Sequence, residues 1–277
     1  MSKWLKGIFF AVFLIGAGYF FGTILRQIGQ AYELMLSPSW ELLNLLLWFL
    51  LALGVVAVTS GLVAALLRPV WVGIIVFALS GLAMLLGWQM TVGSGILALV
   101  YLISASFYAV GVARELNERI KFSIRPIGRS QGMLLMALVF VACGSLYLGC
   151  ATYIEREGFS IPEFYMEMLM KQAEKQIEAR VPAKERRQVM AEFRKEFQRG
   201  VDEFFESKVK PYEKFIPLAI AIGLFMTLVT ITRLLGWVPT VFLSIIFPFL
   251  KALGVIKIVS ETREVERLTL SWVKGVK

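Results

Sequence analysis

Leu42–Leu67 reads LLNLLLWFLLALGVVAVTSGLVAALL, a long run without one aspartate, glutamate, lysine or arginine. About 20 apolar residues match the hydrocarbon thickness of a bilayer, so this stretch is predicted to cross a membrane, with length enough to tilt. Arg68-Pro69 then interrupts it, because proline disfavours helix at the residue before it. A further apolar run, Val70–Leu86, begins at once. The same pattern recurs at Gly7–Leu25, Val92–Val112, Gly132–Ile154 and Phe215–Leu235, where Pro217 is tolerated in a first turn. The predicted fold is therefore all-α: a polytopic bundle of six transmembrane helices. Residues 1–153 would form a five-span region, residues 154–214 an extramembrane unit, and residues 215–277 the sixth span, a further apolar segment and a tail.

Composition agrees. The chain has 277 residues, 58% of them hydrophobic, with mean hydropathy +0.72 and net charge +9, outside the soluble globular range. The charge is uneven. Ile154–Lys214 holds thirteen acidic and thirteen basic residues, so the whole excess lies in the spans, their loops and the tail. Basic residues flanking apolar runs point to membrane topology, and no nucleic-acid partner is expected. The amino-terminal apolar run exceeds an ordinary signal core and no A-x-A site follows, so it reads as a retained anchor.

Histidine is absent, which excludes Ser-His-Asp or Cys-His catalysis and His-ligated metal within the chain. Cys143 and Cys150 are seven apart on one predicted helix, about 10.5 Å at 1.5 Å rise per residue and beyond disulfide reach. The sequence carries no P-loop, dinucleotide fingerprint or nucleophile elbow. No enzymatic activity and no cofactor are expected.

Side follows from the basic residues. With six spans and a cytoplasmic start, the inner side receives Lys3, Lys6, Arg68, Arg114, Arg119, Lys121, Arg125, Arg129, Arg233 and the basic tail. Among short outer loops only Arg26 is basic. This places a multi-pass protein in the cell membrane with both termini cytoplasmic and residues 154–214 external. Val238–Val255 offers few apolar residues before Lys251 and contains Pro248, so it is expected to dip into the membrane or lie at its surface. Trp4, Trp40, Trp71, Trp88 and Trp237 fall near predicted ends, as an interfacial aromatic belt requires.

Small residues recur every four positions: Gly18 and Gly22; Ala57, Gly61 and Ala65; Ala105, Ala109 and Ala113; Ala219 and Gly223. In lipid such stripes let helix backbones approach closely. Gly73, Ser80 and Gly87 share a face of the third span. Helix packing is the expected role of all of these.

Within 154–214, Ser160-Ile161-Pro162-Glu163 forms a helix start with cap, early proline and capping-box glutamate. Val181-Pro182 ends that helix, and a second runs toward Lys208 with Val189, Phe193, Phe197 and Val201 on one face. An antiparallel helical hairpin is predicted. Phe164, Met166, Met170, Phe193 and Phe197 are candidate partner contacts, since methionine and aromatics suit adaptable surfaces. Met166, Met168 and Met170 also resemble a thioether copper cluster, but on a helix Met168 points away from the other two.

The leading expectation is a non-enzymatic membrane protein whose hairpin mediates assembly, as a homo-oligomer or with another membrane protein. Its remaining partner is the lipid bilayer. The alternative is a transporter or channel for a neutral or small solute, lined by Asn44, Thr59, Ser60, Ser94, Ser104, Ser106, Thr227 and Thr230, provided these converge on one cavity. A lipid-directed enzyme built from Glu115, Glu118, Glu261, Glu264 and Glu266 is the weakest reading.

Overall fold

The computed structural model describes residues 3–31, 39–118, 123–157 and 210–256, together with 168, 170–172, 193, 195–197, 199–201, 203, 204, 207 and 208. Seven helices carry the bundle: α1 (Lys3–Gln30), α2 (Trp40–Leu66), α3 (Val70–Gly87), α4 (Val92–Glu118), α5 (Arg125–Glu157), α6 (Ile216–Leu235) and α7 (Val238–Ala252). Among the described residues, six segments are long and apolar enough to cross a membrane, with α6 and α7 in the last of them. The chain is a multi-pass helical membrane bundle, and no strand occurs among the described residues.

Helix boundaries follow local chemistry. The Ser39 hydroxyl accepts from Leu42 N at 3.2 Å, capping α2. Thr91 and Ser94 cap α4 reciprocally: Ser94 Oγ accepts from Thr91 N at 2.9 Å and Thr91 Oγ1 from Ser94 N at 3.1 Å. At the end of α7, Gly254 adopts φ 68°, and Val255 N donates to Leu250 O at 3.0 Å. A glycine suits that left-handed position because it has no Cβ to clash.

The contacts show how the helices alternate. Ser80 and Met84 of α3 meet Gly18 and Gly22 of α1, so α1 and α3 run parallel. Gly29 meets Ser145 and Gly149, so α5 runs with them. Gly61 of α2 meets Ile127 of α5, Leu97 of α4 meets Gly144, and Phe225 of α6 meets the Phe140 ring. Those three helices run the opposite way. The bundle thus has a near end, where α1 begins, and a far end, where α5 stops and the segment 158–209 departs. One core joins all seven helices; Phe21, Phe49, Phe77, Tyr101, Tyr108 and Leu138 are among its fully buried members.

The segment after α6 resolves into a helix on one end of the bundle. Pro239 lacks the N–H for a bond to Leu235 and its ring crowds that carbonyl, which turns the chain. Thr240 then lies on Gly128 of α5, Leu243 on Gly61 of α2, and Gly254 beside Lys6 of α1. All three contacts belong to the near end. With 15 residues, α7 is about 22 Å long, short of the ~30 Å hydrocarbon core. Its two ends reach the same end of the bundle, so it does not add a crossing.

Some expectations change. The described helices overrun several apolar spans: α1 continues to Gln30 and α5 starts at Arg125. Trp40, Trp71 and Trp237 are exposed, but Trp88 is only 7% exposed and turns inward. Ala219 and Gly223 face outward, with nothing within 4 Å of a Cβ at Gly223. Helix α6 packs through Ala221, Leu228 and Thr232, and a shift of two residues rotates a helical position by about 200°.

Candidate functional site

The small residues lie at the tightest helix contacts. A Cβ at Gly18 or Gly22 would run into the backbone of Ser80 or Met84, and one at Gly149 would run into Gly29. A Cβ at Gly61 would fall 2.7 Å from Leu243 Cδ1 and 3.1 Å from Ile127 Cγ2. Ala57, Ala105 and Ala109 are buried, and Ala65 packs at the edge of the core.

Buried polar groups bridge these same helices. Ser80 Oγ donates to Leu14 O at 3.0 Å, Ser145 Oγ to Leu25 O at 2.7 Å, and Gln131 Nε2 to Ala57 O at 2.9 Å. Tyr101 donates to Ser80 Oγ at 3.3 Å. In hydrocarbon such bonds add modest stability and fix register. Gln131 and Ser145 carry this role although neither stood out in the sequence; a lone glutamine at the start of a clean apolar run was the available signal.

The eight residues named for a solute path do not gather. Thr59, Ser106, Thr227 and Thr230 donate to carbonyls one turn back on their own helices. Ser94 caps α4, and Asn44 is exposed. None of the eight lines any of the three cavities below. Nor do the five glutamates assemble among the described residues: Glu118 pairs with Arg114 on its own helix at 3.1 Å, Glu115 is half-buried there, and Glu261, Glu264 and Glu266 lie outside the described residues.

The cavities sit elsewhere. A far-end cleft of about 460 Å³ is lined by Arg26, Gln30, Trp88, Gln89, Thr152 and Arg156, with Gly29, Gly93, Leu148 and Gly149 at its floor and sides. Its lining residues include two arginines and two glutamines, and no aspartate or glutamate. Next to it, a groove of about 460 Å³ runs between α4 and α6 over α5, lined by apolar residues including Ile96, Leu97, Phe140, Tyr147 and Ile222. Gly93 and Leu148 line both, so cleft and groove adjoin across that contact. A smaller near-end cavity of about 230 Å³ lies between α5 and α6, beside Arg129, Thr232 and Arg233. Arg26 was visible in the sequence as the one basic residue of its short loops. That Arg156, 130 positions along the chain, lines the same cleft was not.

Of the candidate partner contacts, Phe164 and Met166 lie outside the described residues, as does the antiparallel pairing of the hairpin helices. Met170, Phe193 and Phe197 are half-buried, and the last two rings stack with centroids 5.7 Å apart. Lys195, Glu196 and Arg199 beside them are exposed. At the base of the segment a small apolar cluster forms, with Cys150 and Ile154 of α5 buried against Ile216 and Ile220 of α6. Comparison with known protein families, curated proteins and solved structures finds no match to this chain.

Proposed function

We propose that this non-enzymatic, multi-pass protein of the cell membrane uses residues 154–214 to assemble with a second copy or another membrane protein. Both termini would lie in the cytoplasm and that segment outside. The observation that carries the reading is the clamp at the segment's base. Cys150 and Ile154 pack against Ile216 and Ile220, the last of which also touches the main core, so the ends of α5 and α6 that flank the segment are held side by side. Apolar side chains farther along the segment support the same role: Phe204 is 58% exposed and Met168 40% exposed. Outside hydrocarbon, such side chains favour burial against a partner.

Photoreactive residues at Met168 and Phe204 of the full-length protein in native membranes test this. Discrete protein adducts should form from both, while the same probe at Leu86, on the open face of α3, should yield lipid adducts. Absence of any protein adduct from 168 and 204 would sink the proposal. Adducts between copies would identify a homo-oligomer, and adducts of another mass a second membrane protein.

A further inference from the structure

The geometry points to a binding site for one anionic phospholipid, its phosphate between Arg26 and Arg156 and one acyl chain along the groove between α4 and α6. This goes beyond the role proposed for residues 154–214 and does not depend on it. Polarity across the two adjoining cavities changes in the order a lipid requires. The far-end cleft is lined by the arginines, Gln30, Gln89 and Thr152, and the groove beside it is apolar throughout. On α5 the groove extends from Leu148 to Phe140, about 12 Å at helical rise, which fits within half of a ~30 Å hydrocarbon core. It lies open between α4 and α6, so a chain can enter sideways from one leaflet.

Two glycines shape the groove wall: the Leu148 side chain packs over Gly93 and the Leu97 side chain over Gly144, where a Cβ would fall 2.7 Å from Leu148 Cδ2 and 2.6 Å from Leu97 Cδ1. Charge selects the headgroup. Arg26 and Arg156, both exposed, line the cleft; among the described residues no carboxylate lines it and neither arginine has an ion pair. A phosphate in the cleft is attracted by both cations, at a boundary where the dielectric falls. Arginine also matches phosphate oxygens with paired donors. A helix from a second copy would fill the groove but leave the arginines unanswered.

The test uses full-length protein in phosphatidylcholine nanodiscs that contain a little phosphatidylglycerol with a diazirine on its acyl chain. Adducts are mapped by mass spectrometry. Label should concentrate on Phe140, Tyr147 and Phe225 relative to Leu79 and Leu82 on the open face of α3. Unlabelled phosphatidylglycerol should compete, whereas phosphatidylcholine and glycerol phosphate should not. R26Q should lower groove labelling about fivefold, the counterpart of ~1 kcal/mol per basic residue near headgroups, and R26Q/R156Q should lower it further. I222W, which narrows the groove from an exposed position, should lower labelling with both arginines intact. Equal labelling of groove and α3 face overturns the proposal, as does unchanged labelling in an R26Q/R156Q protein that melts like the parent. Competition by glycerol phosphate as strong as by the lipid would reveal an anion site alone and overturn the lipid assignment. So would crosslinks from the groove to a second copy in place of lipid.

Discussion

At Gly22 the chain has no room for a single methyl group, because the Met84 backbone occupies that space. A backbone cannot swing aside as a side-chain tip can, so Gly22→Ala must separate α1 from α3. Overpacking of this kind costs about 1–3 kcal/mol. Gln131 makes an instructive contrast. It is 1% exposed and its Nε2 bonds Ala57 O, but its Oε1 has no partner among the described residues. Gln131→Met would lose an interhelical bond of about 0.6 kcal/mol and remove an unsatisfied oxygen at the same time. Gly22→Ala is therefore expected to lower stability by ~1–3 kcal/mol and Gln131→Met by less than ~1 kcal/mol. Unfolding in bicelles with a steric-trap or denaturant readout measures both. Matching stability for Gly22→Ala and parent would remove the close α1–α3 contact.

At the scale of one element, α7 shows how a helix too short to span can still have a defined place. Its apolar face, Leu243 and Phe247, is buried on α2 and its neighbours. Its carboxyl end is held by Lys6, whose Nζ donates to Gly254 O at 3.1 Å and to Val255 O at 2.9 Å. An ammonium there meets the negative end of the helix dipole and the last free carbonyls, an interaction of about 0.3–1 kcal/mol, more where partly buried. Lys6→Met should therefore speed hydrogen exchange at residues 250–256 several-fold, in line with ~1 kcal/mol, and leave the α1 core amides unchanged. Exchange mass spectrometry in detergent reports both regions. Identical exchange at 250–256 would show that Leu243 and Phe247 alone hold the helix.

For the whole molecule, six alternating helices bring Lys6 and Gly254 to one end of the bundle. The basic-residue asymmetry of the short loops predicts that this end faces the cytoplasm, as proposed above. Single cysteines at positions 3, 125, 190 and 270 test the assignment. Position 125 is exposed, whereas Gly128 packs against Thr240 and would report poorly. Only position 190 should react with an impermeant maleimide added from outside. Reaction at 3 and 125 would invert the topology, and reaction at 270 alone would require the chain to cross again after Gly254.

Leu42–Leu67 and its counterparts determined the crossings without help from the fold, because a long charge-free apolar run has one low-energy environment. A local signal did the same for the boundary at Arg68-Pro69, ahead of α3. Pairing was a different matter. A small-residue stripe says that a helix can be approached, not by what, and lipid outside resembles apolar neighbours inside. Gly18 and Gly22 thus took α3, Gly61 took α7 and α5, and the identical-looking Ala219 and Gly223 stayed exposed. The two-arginine cleft was beyond reach for the same reason. Arg26 and Arg156 are far apart in the chain, and only the packing of Gly29 against Gly149, which draws the far ends of α1 and α5 together, makes them neighbours of one cavity.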